Sequence, residues 1–175
     1  VCQRHGVPVK ILSKCAEGIN GFIDFAEASE GWDLSRIAIG ATLTGCDELE
    51  PKASPNRMRI TAIARAKRHG FRTFVSVEPI PAGMFDRALS VIALSYPFVD
   101  LFKIGLQSGQ KYTKKETLGF YYDVADYWNT HDGKPRIYWK DSIVNAAGLD
   151  RETLPGYCVP ANYDLFNENN NENAV

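Results

Sequence analysis

Five short apolar segments rich in β-branched residues alternate along this chain with four segments that carry apolar residues at helical spacing. The strand-like segments are Val7–Lys14, Ile37–Leu43, Thr73–Val77, Val99–Leu106 and Arg136–Trp139. The helical segments between them are Ile19–Ser29, the stretch from Ser54 to His69, Phe85–Leu94 and Lys114–Asn129. Strands that recur about every thirty residues with a helix between them are typical of βα units with a parallel sheet. The pattern therefore predicts an α/β fold.

Two parallel architectures fit this rhythm: an open doubly wound sheet and a β/α barrel. A nucleotide-binding doubly wound sheet usually carries a glycine-rich phosphate fingerprint after a strand. No such motif follows any of the five segments. We therefore predict that residues 1–147 form parallel β/α repeats of a partial TIM barrel. The pattern ends at Gly148, so residues 148–166 are predicted to be a C-terminal extension and the asparagine-rich residues 167–175 a disordered tail.

Composition and charge narrow the class of protein. The chain has 175 residues, of which 45% are hydrophobic, enough for one domain with a real core. A formal net charge of −1 gives nucleic-acid binding no support, although a local basic groove is left open. No apolar stretch is long enough for a membrane span and no signal-like segment opens the chain, so a cytoplasmic protein is expected. The opening residues Cys2–Gly6 read as a helix end, from which we expect a missing N-terminal portion.

Polar residues gather where the predicted strands end. Thr42, Thr44 and Cys46 follow the second strand, and Ser76 and Glu78 follow the third. Because the carboxyl ends of parallel strands converge on one rim of a barrel, these side chains are expected to form a site there. The rim is the predicted location of the chemistry.

Lys103 lies inside the apolar fourth strand, Val99–Leu106, in the stretch Leu101-Phe-Lys-Ile-Gly-Leu106. An unpaired ammonium in the sheet interior is costly, so we predict that Glu78 on the neighbouring strand is its partner. Such a pair is either acid/base apparatus or a structural ion pair, and the sequence leaves both open. A lysine in apolar surroundings can also have a depressed pKa and act as a nucleophile, which makes a Schiff-base or acid/base lyase an alternative function.

Metal chemistry has little support in the sequence. Cys15 and Cys46 follow neighbouring strands, but zinc and iron–sulfur sites need three or four ligands. The three histidines all lie at predicted helix ends, so no metal site is predicted.

The helix that begins near Asn56 offers a second kind of site. Its first turns carry free backbone N–H groups together with Arg57 and Arg59, which suits a carboxylate or a phosphate. An ordinary capped surface helix explains the same residues equally well.

Several motifs occur together between the second strand and the end of the third. They are Thr42-Leu-Thr44, Glu50-Pro51, the loop Lys52–Pro55, Arg59 nine positions after Glu50, His69-Gly70 and Val77-Glu-Pro-Ile-Pro81. In this combination the chain resembles a radical S-adenosylmethionine (SAM) enzyme, in particular the branch of spore photoproduct lyase and related proteins labelled DNA-repair photolyases. The resemblance covers about Val7 to Gly109.

The resemblance implies a fold and a cofactor. The chain would be the C-terminal part of a partial (β/α)6 barrel, with Arg59 binding the carboxylate or ribose of SAM. The other residues that the resemblance places around SAM and substrate are Thr42, Thr44, Glu50, Ser76 and Glu78. The family's CxxxCxxC loop, which holds a [4Fe–4S] cluster, is absent from this sequence. The cluster is therefore expected in the missing N-terminal part, and this fragment is expected to be inactive alone.

In the full-length protein, the resemblance implies reductive cleavage of SAM to a 5′-deoxyadenosyl radical and hydrogen abstraction from an unidentified substrate. Cys46 is a candidate hydrogen donor in that reaction. Besides the lyase that would use Lys103 and Glu78, a non-catalytic module that binds an anion or a partner stays open as an alternative. The exposed edge of the strand Val7–Lys14 is a candidate surface for self-association.

Overall fold

Strands and helices alternate along residues 1–167, the part of the chain that this computed structural model describes. The strands are β1 (Val9–Ser13), β2 (Ile37–Thr42), β3 (Arg72–Ile80), β4 (Leu101–Leu106) and β5 (Arg136–Trp139). The helices are α1 (Ala16–Glu27), α2 (Asn56–Arg68), α3 (Phe85–Ser95), α4 (Lys114–Thr130) and α5 (Asp141–Ala147). Residues 168–175 lie outside the described residues, and with them all of the predicted disordered tail except Asn167.

The five strands form one sheet in the order β1-β2-β3-β4-β5, and every neighbouring pair is parallel. A doubly wound sheet reverses its strand order at a switch point, whereas a β/α barrel adds each strand beside the previous one. The predicted α/β fold with parallel β/α repeats of a partial barrel is confirmed.

The two faces of the sheet pack against different parts of the chain. On one face, alternate strand residues such as Ile37, Ile39 and Val75 join the helices in the main hydrophobic core. On the other, which we call the inner face, Phe74 and Leu101 form a smaller cluster with Leu165 from the C-terminal extension. The extension therefore packs across the inner face.

The extension also touches the free edge of β5. Ile137 N donates to Tyr157 O at 3.0 Å, and Val159 N donates to Ile137 O at 2.8 Å, so Cys158 forms a single parallel bridge beside Ile137. This bridge occupies the place of a sixth strand. The boundary between the partial barrel and the C-terminal extension, placed between residues 147 and 148, stays a prediction.

Three elements differ from the sequence-based expectation by three residues or more. Helix α1 begins at Ala16, three residues before the first apolar position, because the Cys15 thiol accepts a hydrogen bond from Gly18 N at 3.3 Å. Strand β3 continues past Val77 to Ile80, with a shift of register that accommodates Pro79, which has no N–H to donate. Helix α5 was not predicted, because seven residues are too few to show a helical period. Across residues 1–167, no helix combines the length and apolar character needed to cross a lipid bilayer.

Gly40 lies under the ring of Phe74 on the inner face. A Cβ atom at residue 40 would lie 2.4 Å from Phe74 Cζ, far inside van der Waals contact. Phe74 is itself buried in the cluster with Leu101, so displacing its ring would disturb the packing of that cluster. We expect Gly40→Ala to lower the free energy of unfolding by about 1–3 kcal/mol, measured by urea denaturation.

Gly21 provides the matched control for that substitution. It lies on an exposed turn of α1, and a Cβ there meets nothing within 4 Å. Gly21→Ala is expected to stabilise the protein by about 0.5–1 kcal/mol, because alanine is the better helix former. Equal effects of the two substitutions would contradict the close packing of Phe74 on Gly40.

Candidate functional site

A cavity of about 580 Å³ opens on the inner face of the sheet, and we call it the inner-face cavity. Its polar lining includes Ser76, Glu78, Lys103, Tyr138 and Lys140. The register explains this grouping, because Ser76 pairs with Lys103 and Lys103 with Tyr138 across β3, β4 and β5. Small-molecule sites in proteins commonly have volumes of about 300–1,000 Å³ and a few convergent polar groups. The inner-face cavity has both properties.

Glu78 forms its ion pair with Lys140 and not with Lys103. Lys140 Nζ donates to Glu78 Oε1 at 2.5 Å, and Ser76 Oγ donates to the same oxygen at 2.7 Å. In the described part of the chain, no ion pair joins Glu78 to Lys103. The predicted Lys103–Glu78 pair is therefore wrong, and Lys140 is the partner of Glu78 in place of Lys103.

Gly105 makes the Glu78–Lys140 pair possible. Glu78 belongs to β3 and Lys140 follows β5, so the pair must cross β4. A Cβ atom at residue 105 would lie 2.9 Å from Lys140 Cδ and 3.0 Å from Glu78 Oε2. The glycine thus leaves the space through which the lysine side chain reaches the carboxylate.

Lys103 has an aromatic neighbour in place of a carboxylate. Its Nζ lies 5.5 Å from the centroid of the Phe74 ring, a cation–π contact. Burial lowers the pKa of Lys103, the positive charges of Lys10 and Lys140 lower it further, and the Glu78 carboxylate opposes them. A lysine in this setting loses its proton more readily than an exposed lysine does.

A second group of residues forms a network around Glu50, which we call the loop network. It consists of the predicted site residues Thr44, Glu50 and Arg59 together with Lys14. Arg59 Nη2 donates to Glu50 Oε2 at 2.7 Å and Thr44 Oγ1 donates to it at 2.8 Å. Lys14 Nζ lies 2.7 Å from Glu50 Oε1 and forms an ion pair with it. The network ties the ends of β1 and β2 to helix α2.

Arg59 is a buried part of this network. Its side chain is 0% exposed, and Nη1 donates to Thr42 O at 2.6 Å, which leaves only Nε without a partner among the described residues. The expectation that Arg59 lies open near the rim is wrong. The expectation of free N–H groups at the start of α2 is also wrong for its first residue, because Asn56 N donates to Asp47 Oδ1 at 2.7 Å.

Thr42 and Thr44 are buried with the network and do not line the inner-face cavity. Glu50 borders a separate cavity of about 510 Å³ beside Lys14 and Cys15. The predicted SAM residues thus fall into two places, and of the six only Ser76 and Glu78 face the inner-face cavity. Their contact with SAM stays a prediction.

Cys46 is buried, so its predicted position at the open rim is wrong. Burial raises the pKa of its thiol, and the nearby Arg87 guanidinium opposes this shift. The cause of the burial is the approach of α3 to the loop, since a Cβ at Gly45 would lie 2.7 Å from Arg87 O. A role for Cys46 as hydrogen donor has no support in this geometry.

Metal ligands do not converge in the described chain. Across residues 1–167, no three His, Cys, Asp or Glu side chains are close enough to hold a metal ion. His69 follows the last turn of α2 and pairs with Glu27, and His131 follows α4 and stacks on Tyr127. These histidines lie at helix ends, as predicted.

No family model matches this chain, and no curated protein matches it either. Among solved structures, it resembles SuiB of Streptococcus suis bound to S-adenosylmethionine, with a TM-score of 0.60 and 11% identity. The alignment covers 95% of this chain and 38% of SuiB. The fold of this chain is similar to that part of SuiB.

A second SuiB structure, bound to precursor peptide SuiA, matches with a TM-score of 0.60 and 10% identity, over 95% of this chain and 38% of SuiB. A third SuiB structure gives a TM-score of 0.60 and 11% identity, and the alignment covers 94% of this chain and 39% of SuiB. At such identities the likeness shows the fold alone. This chain spans well under half the length of SuiB.

Proposed function

We propose that this chain is the SAM-binding half of the barrel of a radical SAM enzyme and that the inner-face cavity is its site. The observation that carries the proposal is the position of Ser76 and Glu78. Two residues that the sequence motifs assign to SAM line one cavity in a sheet that resembles the SuiB fold. The substrate and the reaction product are left open.

The groups in the cavity fit SAM chemically. SAM carries an ammonium and two ribose hydroxyls, and Glu78 offers a carboxylate that accepts hydrogen bonds from either. Ser76 offers a hydroxyl that already donates to Glu78 and orients it. The reductive cleavage of SAM would supply a radical that abstracts hydrogen from the substrate. The chain's own contribution would be to bind and orient SAM and the substrate.

The loop network has an indirect role in this proposal. Because Arg59 is buried behind Glu50, it acts as a positioning residue that fixes the loop after β2. Thr42 takes part through its backbone oxygen and Thr44 through its hydroxyl. The loop network would hold the loop after β2 in one conformation.

The described residues do not fit a [4Fe–4S] cluster, since no three potential ligands converge. The cluster would have to be held by polypeptide outside this sequence. No step by residues of this chain is assigned to it.

SAM binding to the chain itself tests the proposal. In equilibrium dialysis, we expect saturable binding that Glu78→Gln weakens about tenfold or more, because a hydrogen bond to a charged group is lost. Glu152→Gln, which changes an exposed glutamate in the C-terminal extension, is the matched control and should leave the affinity unchanged. No saturable binding, or equal affinities for the two variants, would contradict the proposal. Ser76→Ala is a second variant if Glu78→Gln does not fold.

A lyase that uses Lys103 as a nucleophile is the second candidate, favoured by the lowered pKa of that lysine. Borohydride reduction in the presence of a carbonyl compound would then attach that compound to Lys103, as mass spectrometry of the digested protein would show. Absence of this adduct removes the lyase from consideration.

The finer assignments are part of the proposal. Membership of the spore photoproduct lyase branch rests on the motifs between Thr42 and Pro81. A cytoplasmic location and pairing of two chains along the β1 edge are proposed on the sequence alone. A nucleic-acid substrate has no support from charge.

A further inference from the structure

Three lysines of the described chain are partly buried: Lys67, Lys103 and Lys140. Lys67 pairs with Asp100 and Lys140 with Glu78. Among the described residues, the Lys103 ammonium has no ion pair and contacts the face of the Phe74 ring. A partly buried ammonium normally has an anionic partner, because its desolvation is costly. Lys103 is the exception among the three.

Glu78, the carboxylate that was predicted to pair with Lys103, already has other partners. Glu78 accepts hydrogen bonds from both Lys140 and Ser76. Lys10, the other lysine whose charge Lys103 feels, has its own partner in Asp164, whose Oδ1 lies 3.9 Å from Lys10 Nζ. Asp141, the other carboxylate that lines the cavity, pairs with Arg151. Both carboxylates of the cavity lining therefore have partners other than Lys103.

We propose that Lys103 binds a carboxylate or phosphate group of a small substrate in the inner-face cavity. This inference rests on the proposed function. It adds to that function the chemical class of the substrate. The anion would supply the ion pair that the chain does not, and the three N–H donors of the ammonium would be satisfied. The cavity, at about 580 Å³, also contains Ser76 and Glu78, the proposed contacts of SAM, and extends past them to Lys103.

Titration of the chain with inorganic phosphate, and separately with acetate, tests the inference. The readout is the NMR spectrum of protein labelled with ¹³C-lysine, with sodium chloride at matched ionic strength as the reference. The Lys103 signal is identified by its absence in Lys103→Met. We expect a saturable shift of that signal and a rise in the pKa of Lys103 on binding, because a nearby anion favours the charged form. Saturation by either anion supports the inference, and the tighter one identifies the substrate's group.

Calorimetry of the same titrations supplies the variant comparison. Lys103→Met is expected to weaken anion binding about tenfold or more, while Lys115→Met, at an exposed lysine of α4, leaves it unchanged. Lys103→Met keeps the apolar stem and removes an unpaired charge, so it is expected to fold. If it does not, Lys103→Arg serves to identify the Lys103 signal, and the wild-type NMR titration decides. No saturable shift at Lys103, equal affinities of the two variants, or a borohydride adduct at Lys103 would overturn the inference.

SAM affinity of the same variants separates this inference from the proposed function. We expect Lys103→Met to keep saturable SAM binding and to lose much less affinity for SAM than for the anion. A loss of SAM affinity equal to the loss of anion affinity would mean that Lys103 holds the carboxylate of SAM, and the substrate assignment would fall. Anion binding by a chain that does not bind SAM would overturn the proposed function while leaving the anion site.

Discussion

Replacing Arg59 by methionine is expected to lower the free energy of unfolding by about 3 kcal/mol or more. Glu50 is only 10% exposed, and its two strongest donors are Arg59 and Lys14. Without the guanidinium, a largely buried carboxylate loses a close ion pair, and Thr42 O loses its donor. Urea denaturation followed by circular dichroism measures the loss.

Arg57→Met is the matched control for Arg59→Met. Arg57 lies on the same helix, two residues earlier, with an exposed side chain. Its replacement is expected to change the free energy of unfolding by no more than about 0.5 kcal/mol. Equal effects of the two substitutions would show that Arg59 is not buried in the loop network.

The loss caused by Arg59→Met should depend on pH. In the wild type, burial raises the pKa of Glu50, but hydrogen bonds from Lys14, Arg59 and Thr44 outweigh it and lower the pKa overall. A carboxyl group with a lowered pKa stabilises the fold above its ordinary pKa of 4.5, and this stability is lost as the pH falls through the folded-state value. The difference between wild type and variant is therefore largest near neutral pH and shrinks in acid. A difference that stays constant with pH would contradict the role of the Glu50 charge.

Leu165→Ala is expected to cost about 2–4 kcal/mol, because it removes a buried side chain from the cluster on the inner face. Leu165 is 3% exposed and packs with Ala38, Phe74 and Leu101. The loss would loosen the C-terminal extension, of which Ala161 lines the inner-face cavity. Thermal and urea denaturation measure the loss.

Leu94→Ala controls for the change of residue type. Leu94 lies near the end of α3 and is 64% exposed, so its replacement should change stability by no more than about 0.5 kcal/mol. If Leu165→Ala has as small an effect as Leu94→Ala, the extension does not pack on the sheet as described.

The fold could be predicted because its strands have simple patterns. All six residues of β2 are buried, and a strand buried on both faces reads as a continuous apolar run. Helix α5 and the course of the extension could not be predicted, since one is a two-turn helix and the other pairs with β5 through a single bridge. The contacts of the extension depend on the whole sheet being assembled.

The site was predicted in part. Ser76 and Glu78 follow from strand ends in register, but the partner of Glu78 depends on Gly105, whose missing side chain opens the path for Lys140. The burial of Arg59 had a signal in the sequence, because Arg59 precedes the core residue Ile63 by one helical turn. Charge alone made it look like a surface residue, since arginines are seldom fully buried unless they are paired.

Iron, sulfide and 5′-deoxyadenosine are the quantities that test the radical SAM proposal most directly. They would be measured together on protein expressed from the natural start of its gene and purified without oxygen. We predict about four iron and four sulfide per chain, and release of 5′-deoxyadenosine when dithionite is added with SAM. A protein that holds no iron and releases no 5′-deoxyadenosine would contradict the assignment as a radical SAM enzyme.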